Sequence, residues 1–253
     1  EAKPTPAKSS MNARNEIIFP IVSDGIVTQN YGPTTVMING QVGSLEQNGT
    51  DFGVNAGGWG GALRVTKQFS EIMLNTTYTN DVRNTLITAN RPIDITSIGN
   101  NGTGYITSKW SNKTSTGLNG SANEIVDTDF PMFRLADVYL MYAEAFVRGG
   151  GGSSTNAVNY INQLRTRANN TNTISSTDLD LDFILNERLV ELYWEGHRRQ
   201  DLIRFGKYSS GSYNWSWKGN SFSGIAIDET RNVFPVPSAS LASNPNLTQN
   251  QGY

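Results

Sequence analysis

The chain has 253 residues, with 20 Lys and Arg against 22 Asp and Glu, and a formal net charge of −2. That balance leaves no electrostatic footprint for nucleic acid, and no basic run marks a membrane-surface site. With no cysteine in the sequence, disulfides, thiolate metal sites and cysteine nucleophiles are excluded, as is a lipid-bearing cysteine within these residues.

The length accommodates one large domain or two small ones. No apolar run approaches the roughly 20 residues of a membrane span. Residues 1–15, opening EAKPTPAKSS, lack the apolar core of a signal peptide and read as a linker or a cut end. Residues 16–125 are rich in Gly, Asn and Thr. Their short apolar runs, Ile17–Val22 and Thr35–Ile38, predict brief strands between loops. The stretch Gly99–Gly120 has no clear period, and a loop that long is functional or packed against something. The segment Val65–Leu74, VTKQFSEIML, predicts a helix with apolar residues at 65, 69, 72 and 73.

Residues 126–208 read as helical. Asp129 is the expected cap and Pro131 the expected first turn of a helix over 133–148, with Leu135, Val138, Met141, Tyr142, Ala145 and Phe146 facing inward. That helix stops in the run Gly149–Gly152. A partner over 154–169 presents Ala157, Tyr160, Ile161, Leu164 and Ala168, completing a short-loop antiparallel pair. A third helix is expected from Asp178–Asp182 to about Arg204, with Ile184, Leu185, Leu189, Leu192 and Tyr193 inward. Residues 209–253 read as an extended tail, because VFPVP at Val233–Pro237 cannot be helix interior.

In the third helix Glu187, Glu191 and Glu195 are spaced four apart, with Arg198 and Arg199 three and four residues beyond Glu195 and then Asp201 and Arg204. One reading is an acid–base site using the single histidine, His197. The other is an ion network tying this helix to Arg134, Glu144, Arg165 and Arg167. Arginines beside each carboxylate lower its pKa, the wrong direction for a general acid. The network reading is therefore adopted, with His197 as a fold residue.

Five ordered blocks carry a family resemblance: FRLADVYLMYAEAFVRGGG (Phe133–Gly151), AVNYINQLRTRAN (Ala157–Asn169), ILNERLVELYWEGHRRQDLIRFGKY (Ile184–Tyr208), VFPVP and NPNLTQNQGY (Asn244–Tyr253). Together they resemble the C-terminal half of the SusD/RagB family of outer-membrane nutrient-binding lipoproteins. Small departures are Leu135 in the usual Arg-Tyr-Ala-Asp, Leu189 in the usual Glu-Arg-Arg, and Gln251 where Pro is common. The resemblance implies a mainly α fold, with a tetratricopeptide-like helix pair beside an irregular, loop-rich ligand-binding region with a few short strands. Residues 16–253 would form one such C-terminal domain, with 16–125 as the ligand-binding part. It further implies a surface lipoprotein that binds oligosaccharides without catalysis and passes them to a SusC-like TonB-dependent outer-membrane transporter. Only one helix pair is visible, so further repeats and an anchor cysteine are expected upstream, and membrane attachment only through that anchor.

Sugars present flat C–H faces and hydroxyl rings, which proteins meet with exposed aromatics and with Asn, Asp, Gln and Arg. The loop NYG (Asn30–Gly32) and the segment GVNAGGWGGALR (Gly53–Arg64), with its Trp among five glycines, supply such groups. Trp59 and Tyr31 are the stacking candidates, as part of the aromatic arc that the resemblance to starch-type members implies. Asn30, Asn55 and Arg64 are the hydroxyl partners. Trp215 and Trp217 alternate in an expected hairpin, and Trp110 lies in a loop. Asp51, Asp81, Asp94, Asp127 and Asp129 are scattered without EF-hand spacing; no cofactor is expected, and a structural calcium stays open. Sequons such as Asn48, Asn75 and Asn112 matter only in a eukaryotic secretory route. The alternatives are a glycan-active enzyme such as a glycoside hydrolase, which needs two carboxylates across a sugar cleft, and a lipoprotein binding peptide or another nutrient.

Overall fold

The computed structural model describes residues 15–29, 31–42, 46–60 and 63–253. Strand β1 is Ile17–Ile21, as the first apolar run predicts. The second run is not a strand. Pro33–Gly40 forms helix α1, with Pro33 in its first turn. Proline's fixed φ suits that position, and a short apolar run does not by itself distinguish strand from helix.

Helix α2, Lys67–Met73, is capped by Thr66, whose hydroxyl accepts from the Phe69 amide. Two-residue strands β2 (Leu86–Ile87) and β3 (Ile106–Thr107) pair antiparallel. Two apolar clusters hold these loops. One joins Val65, Phe69, Met73 and Tyr78 to Leu189, Val190 and Tyr193. The other joins Ile38, Val42, Val54, Trp110 and Val126, so Trp110 is a core residue.

The expected helix start at Asp129–Pro131 is overturned. Phe130–Arg134 is strand β4, antiparallel to β1, with Pro131 opposite Pro20. A two-stranded ribbon has only edge strands, where proline costs no central ladder bond. Asp129 instead accepts the Ser23 amide at 3.0 Å.

Helix α3, Leu135–Val147, buries Ala136, Asp137, Leu140, Ala143 and Glu144, while Val138, Met141 and Ala145 face outward. Its buried stripe is therefore rotated from the expected one. The polar residues Asp137 and Glu144 take core positions because each has an arginine, Arg188 on Asp137 and Arg148 on Glu144, both at 2.8 Å. Counting apolar residues alone misses such positions.

Helix α4, Ser154–Arg167, is capped by Ser153 and buries Ala157, Ile161 and Leu164. Helix α5, Leu181–Leu192, is capped by Asp180. Helix α3 packs against both α4 and α5. The expected single helix to Arg204 is broken: Tyr193 is extended, and Trp194 (φ 59°) and Gly196 (φ 82°) are left-handed. Left-handed residues cannot continue a right-handed helix.

The chain divides into two compact units after Gly196. The second, His197–Tyr253, begins with α6 (Arg198–Arg204) and includes α7 (Ser238–Ser243), so the tail is not wholly extended. Trp215 and Trp217 form no hairpin. Both are half-buried, Trp215 beside Tyr208 and Tyr213, Trp217 edge-on to Phe222. Among the described residues no helix is long and apolar enough to cross a membrane.

Candidate functional site

Two constellations stand out in the first unit, one charged and one aromatic. The first surrounds α5. Arg134, at the α3 N-terminus, donates to Glu195 through Nε (2.6 Å) and to Glu191 through Nη1 (2.6 Å). Arg165 of α4 donates to Glu187 at 2.7 Å through Nη2, and the Tyr78 hydroxyl donates to the same carboxylate. Arg167 reaches Glu16 and Glu191. Three loop residues complete the set. Arg83 bridges Asp81, Glu187 (3.0 Å) and Glu191 (2.9 Å), and Lys109 pairs with Glu195.

Burial alone would raise these carboxyls. Arg134, Arg167 and Arg83 overcome it at Glu191, and Lys109 and Arg134 at Glu195, holding both below the usual carboxylate range. Such groups do not donate protons at neutral pH.

Arg134, Arg165, Glu187, Glu191 and Glu195 therefore fall within one set of buried ion pairs, of which helical spacing accounts for Glu187 and Glu191. The rest of the expected row does not continue it. Glu195 lies beyond the end of α5, so no helical i to i+3 relation runs to Arg198. In the second unit Arg198 donates to Tyr213, and Arg204 pairs with Asp201. His197 is half-buried and its carbonyl accepts the Asp201 amide. Glu144 bonds Arg148 of its own helix. Arg83, Lys109, Asp81 and Tyr78 were not anticipated. They lie in loops roughly a hundred positions away, and their only sequence signal is a surplus of buried carboxylates needing cations.

The second constellation is built on α1. Gly49 donates to Ala56 O (2.8 Å), Asn55 N–H to Asn123 O (2.9 Å), and Trp59 N–H to Asn39 O (3.2 Å). Gly58 has φ 49°, and a Cβ there would lie 2.6 Å from Asn39 O, so glycine alone fits. This loop holds Trp59 43% exposed beside Tyr31, which precedes α1 and is 61% exposed. Their ring centroids are 6.1 Å apart and their planes inclined at 41°. Two bare rings at an angle form a faceted platform. The Asn55 side chain is exposed on the same loop, and Asn30 lies outside the described residues.

Arg64 is withdrawn from the hydroxyl-binding set. Its guanidinium donates to the carbonyls of Ser97, Ile98, Asn100 and Thr103, clamping the 97–103 loop. The loop acids are likewise engaged: Asp127 accepts from Gly25 and Ser121, and Asp94 pairs with Lys67. Among the described residues no group of three or more His, Cys, Asp or Glu is arranged to hold a metal ion. Asn112 is fully buried, donating to Gly53 O and Ala122 O, which closes that sequon.

The SusD family model matches residues 46–253. The chain belongs to the SusD family. It is 33% identical to the starch-binding protein SusD of Bacteroides thetaiotaomicron, over 96% of this chain and 50% of that protein. It is also 33% identical to a SusD-like protein of Formosa agariphila, over 51% of this chain and 25% of that one. The chain thus spans about half the length of these curated relatives or less. Among solved structures, surface glycan-binding protein A of Bacteroides thetaiotaomicron in complex with laminarihexaose superposes with a TM-score of 0.64 at 24% identity, covering 93% of this chain and 52% of that one. A SusD superfamily protein of Bacteroides vulgatus gives 0.63 at 25% identity, covering 94% and 46%. The mainly helical SusD fold is thereby established for the chain.

Proposed function

We propose that this chain carries oligosaccharide-binding surface of a bacterial cell-surface protein that captures glycan without cleaving it. The observation that carries this reading is the exposed Tyr31–Trp59 pair on a braced loop. Adjacent exposed apolar rings on a fixed backbone, rimmed by polar groups, mark a ligand-binding surface. The inclination of the two rings suits adjacent sugars of a curved chain, which favours an α-glucan, and the starch-binding name of one relative supports that choice. Asn55 supplies hydroxyl bonding at the edge.

The chemistry of the charged cluster supports the non-catalytic reading. A glycosidase requires one carboxylic acid protonated at working pH, whereas Glu191 and Glu195 are held ionised by arginine and lysine. Family membership supports attachment at the outer-membrane surface, by a lipid anchor outside these residues, and delivery to a SusC-like TonB-dependent transporter.

Calorimetric titration with a malto-oligosaccharide and with laminarihexaose tests the reading. Affinity in the range of about −4 to −8 kcal/mol, micromolar to millimolar, is expected for the first, with no reducing sugar released. Retention of full affinity after Trp59→Ala refutes the site, and sugar release by purified protein refutes the non-catalytic assignment.

A further inference from the structure

The second unit holds another exposed ring on an immobilised backbone. Phe234, in the VFPVP segment, is 70% exposed. The segment is nevertheless tied down on several sides. The Asn250 amide donates to Phe234 O at 2.7 Å. Gln249 accepts from Val236 N–H and donates to Val236 O, closing both backbone groups at 2.8 and 3.0 Å. The Tyr253 hydroxyl donates to Val233 O at 2.9 Å.

Arg199 of α6 lies behind the ring, its guanidinium carbon 4.0 Å from the Phe234 centroid and 5.0 Å from that of Tyr208. It also donates to Arg231 O at 2.7 Å, fixing the approach to the same segment. A cation thus backs the ring while most of its surface stays open to water. Such a contact holds the ring orientation, and the backbone bonds deny the segment the freedom to fold the ring away. The ring borders a cavity of about 540 Å³, flanked by Asp228, Arg231 and Tyr253. The Asp228 carboxylate, which also accepts the Thr230 amide at 2.9 Å, the Arg231 guanidinium and the aromatic faces around the groove are complementary to vicinal hydroxyls above a C–H face.

We propose that this groove is a second oligosaccharide-binding surface, with Phe234 as its stacking platform and Asp228 and Arg231 as hydroxyl partners. Its ligand class rests on the glycan-binding reading above; its position and residues do not depend on the Tyr31–Trp59 pair. A phenyl ring has no polar handle, so stacking is the whole of its contribution. The second surface binds more weakly than the first, with one ring against two.

Hydrogen exchange read by mass spectrometry on the full chain, with and without a long malto-oligosaccharide and laminarihexaose, tests the proposal. With the better ligand, protection is expected in peptides containing Tyr31 and Trp59 and in those covering 228–236. Trp59→Ala removes the first and leaves the second. Phe234→Ala removes the second alone and lowers affinity for the long chain several-fold, while Phe234→Tyr, which keeps the stacking face, retains it. Protection confined to the first region, or unchanged by Phe234→Ala, overturns this proposal and leaves the first site standing. Protection of 228–236 only when a partner protein is present overturns it in favour of a protein interface. Protection in neither region with either sugar overturns both readings.

Discussion

The charged cluster around α5 and the aromatic pair beside α1 lie within one unit, yet they are opposite solutions to placing costly groups. In the first, charges are buried and paired with cations; Glu187, Glu191 and Glu195 are at most 4% exposed. In the second, apolar rings are left uncovered. Buried ion pairs add little net stability, but losing one partner strands the other. Exposed rings add little to folding and leave their surface available for a ligand. The difference separates what holds the scaffold from what the proposed function assigns to binding.

The comparison is broken most severely at Arg134. Arg134→Ala leaves Glu191 and Glu195 short of a shared cation, and a loss of about 3–5 kcal/mol, on the order of 10 °C in Tm, is expected in thermal melts. Sugar affinity measured well below that Tm stays the same. A variant that melts normally would show the network to be dispensable.

Acid probes the same network. Glu191 and Glu195 have folded-state pKa values depressed by their cations, so their contribution is fully present above the unfolded carboxylate pKa and is lost as pH falls from there toward the folded values. Denaturant midpoints are therefore expected to be flat at neutral pH and to drop below about pH 4.5. The stacking platform involves no proton, so sugar binding is flat across the upper range.

Gly58→Ala sharpens the contrast from the other side. A methyl at φ 49° and 2.6 Å from Asn39 O forces the loop to shift. A stability loss of about 1–3 kcal/mol is expected, with weakened binding because Trp59 moves. Trp59→Ala weakens binding about tenfold or more while changing stability by less than about 0.5 kcal/mol. The smallest effect belongs to Arg64→Ala: affinity within about twofold of the parent, 1.4 kcal/mol being a full factor of ten, since its donors serve loop carbonyls. A large loss there would return Arg64 to the ligand set.

Much of this organisation was legible from local pattern. The α4 helix and the buried face of α5 follow from spacing, because a core stripe is written in apolar residues a turn apart. Trp59 and Tyr31 stood out because glycine and polar neighbours cannot bury a ring. Long-range partners were not legible. Nothing near Arg83 or Lys109 points to carboxylates 104 and 86 positions away. The rotated face of α3 was misread because buried Asp137 and Glu144 count as surface in any polarity pattern. The break at Trp194 is hidden in the sequence because the apolar spacing runs on toward Gly196, and that glycine, left-handed in the structure, is the one local signal of it.

The bracing of this aromatic loop against α1 bears on how the surface tolerates change. Tyr31 and Trp59 sit on loops outside the charged cluster, and the backbone hydrogen bonds that brace Trp59 are indifferent to which side chain they carry. Substitution at these two positions therefore alters the surface offered to a ligand while leaving the buried ion pairs around α5 untouched.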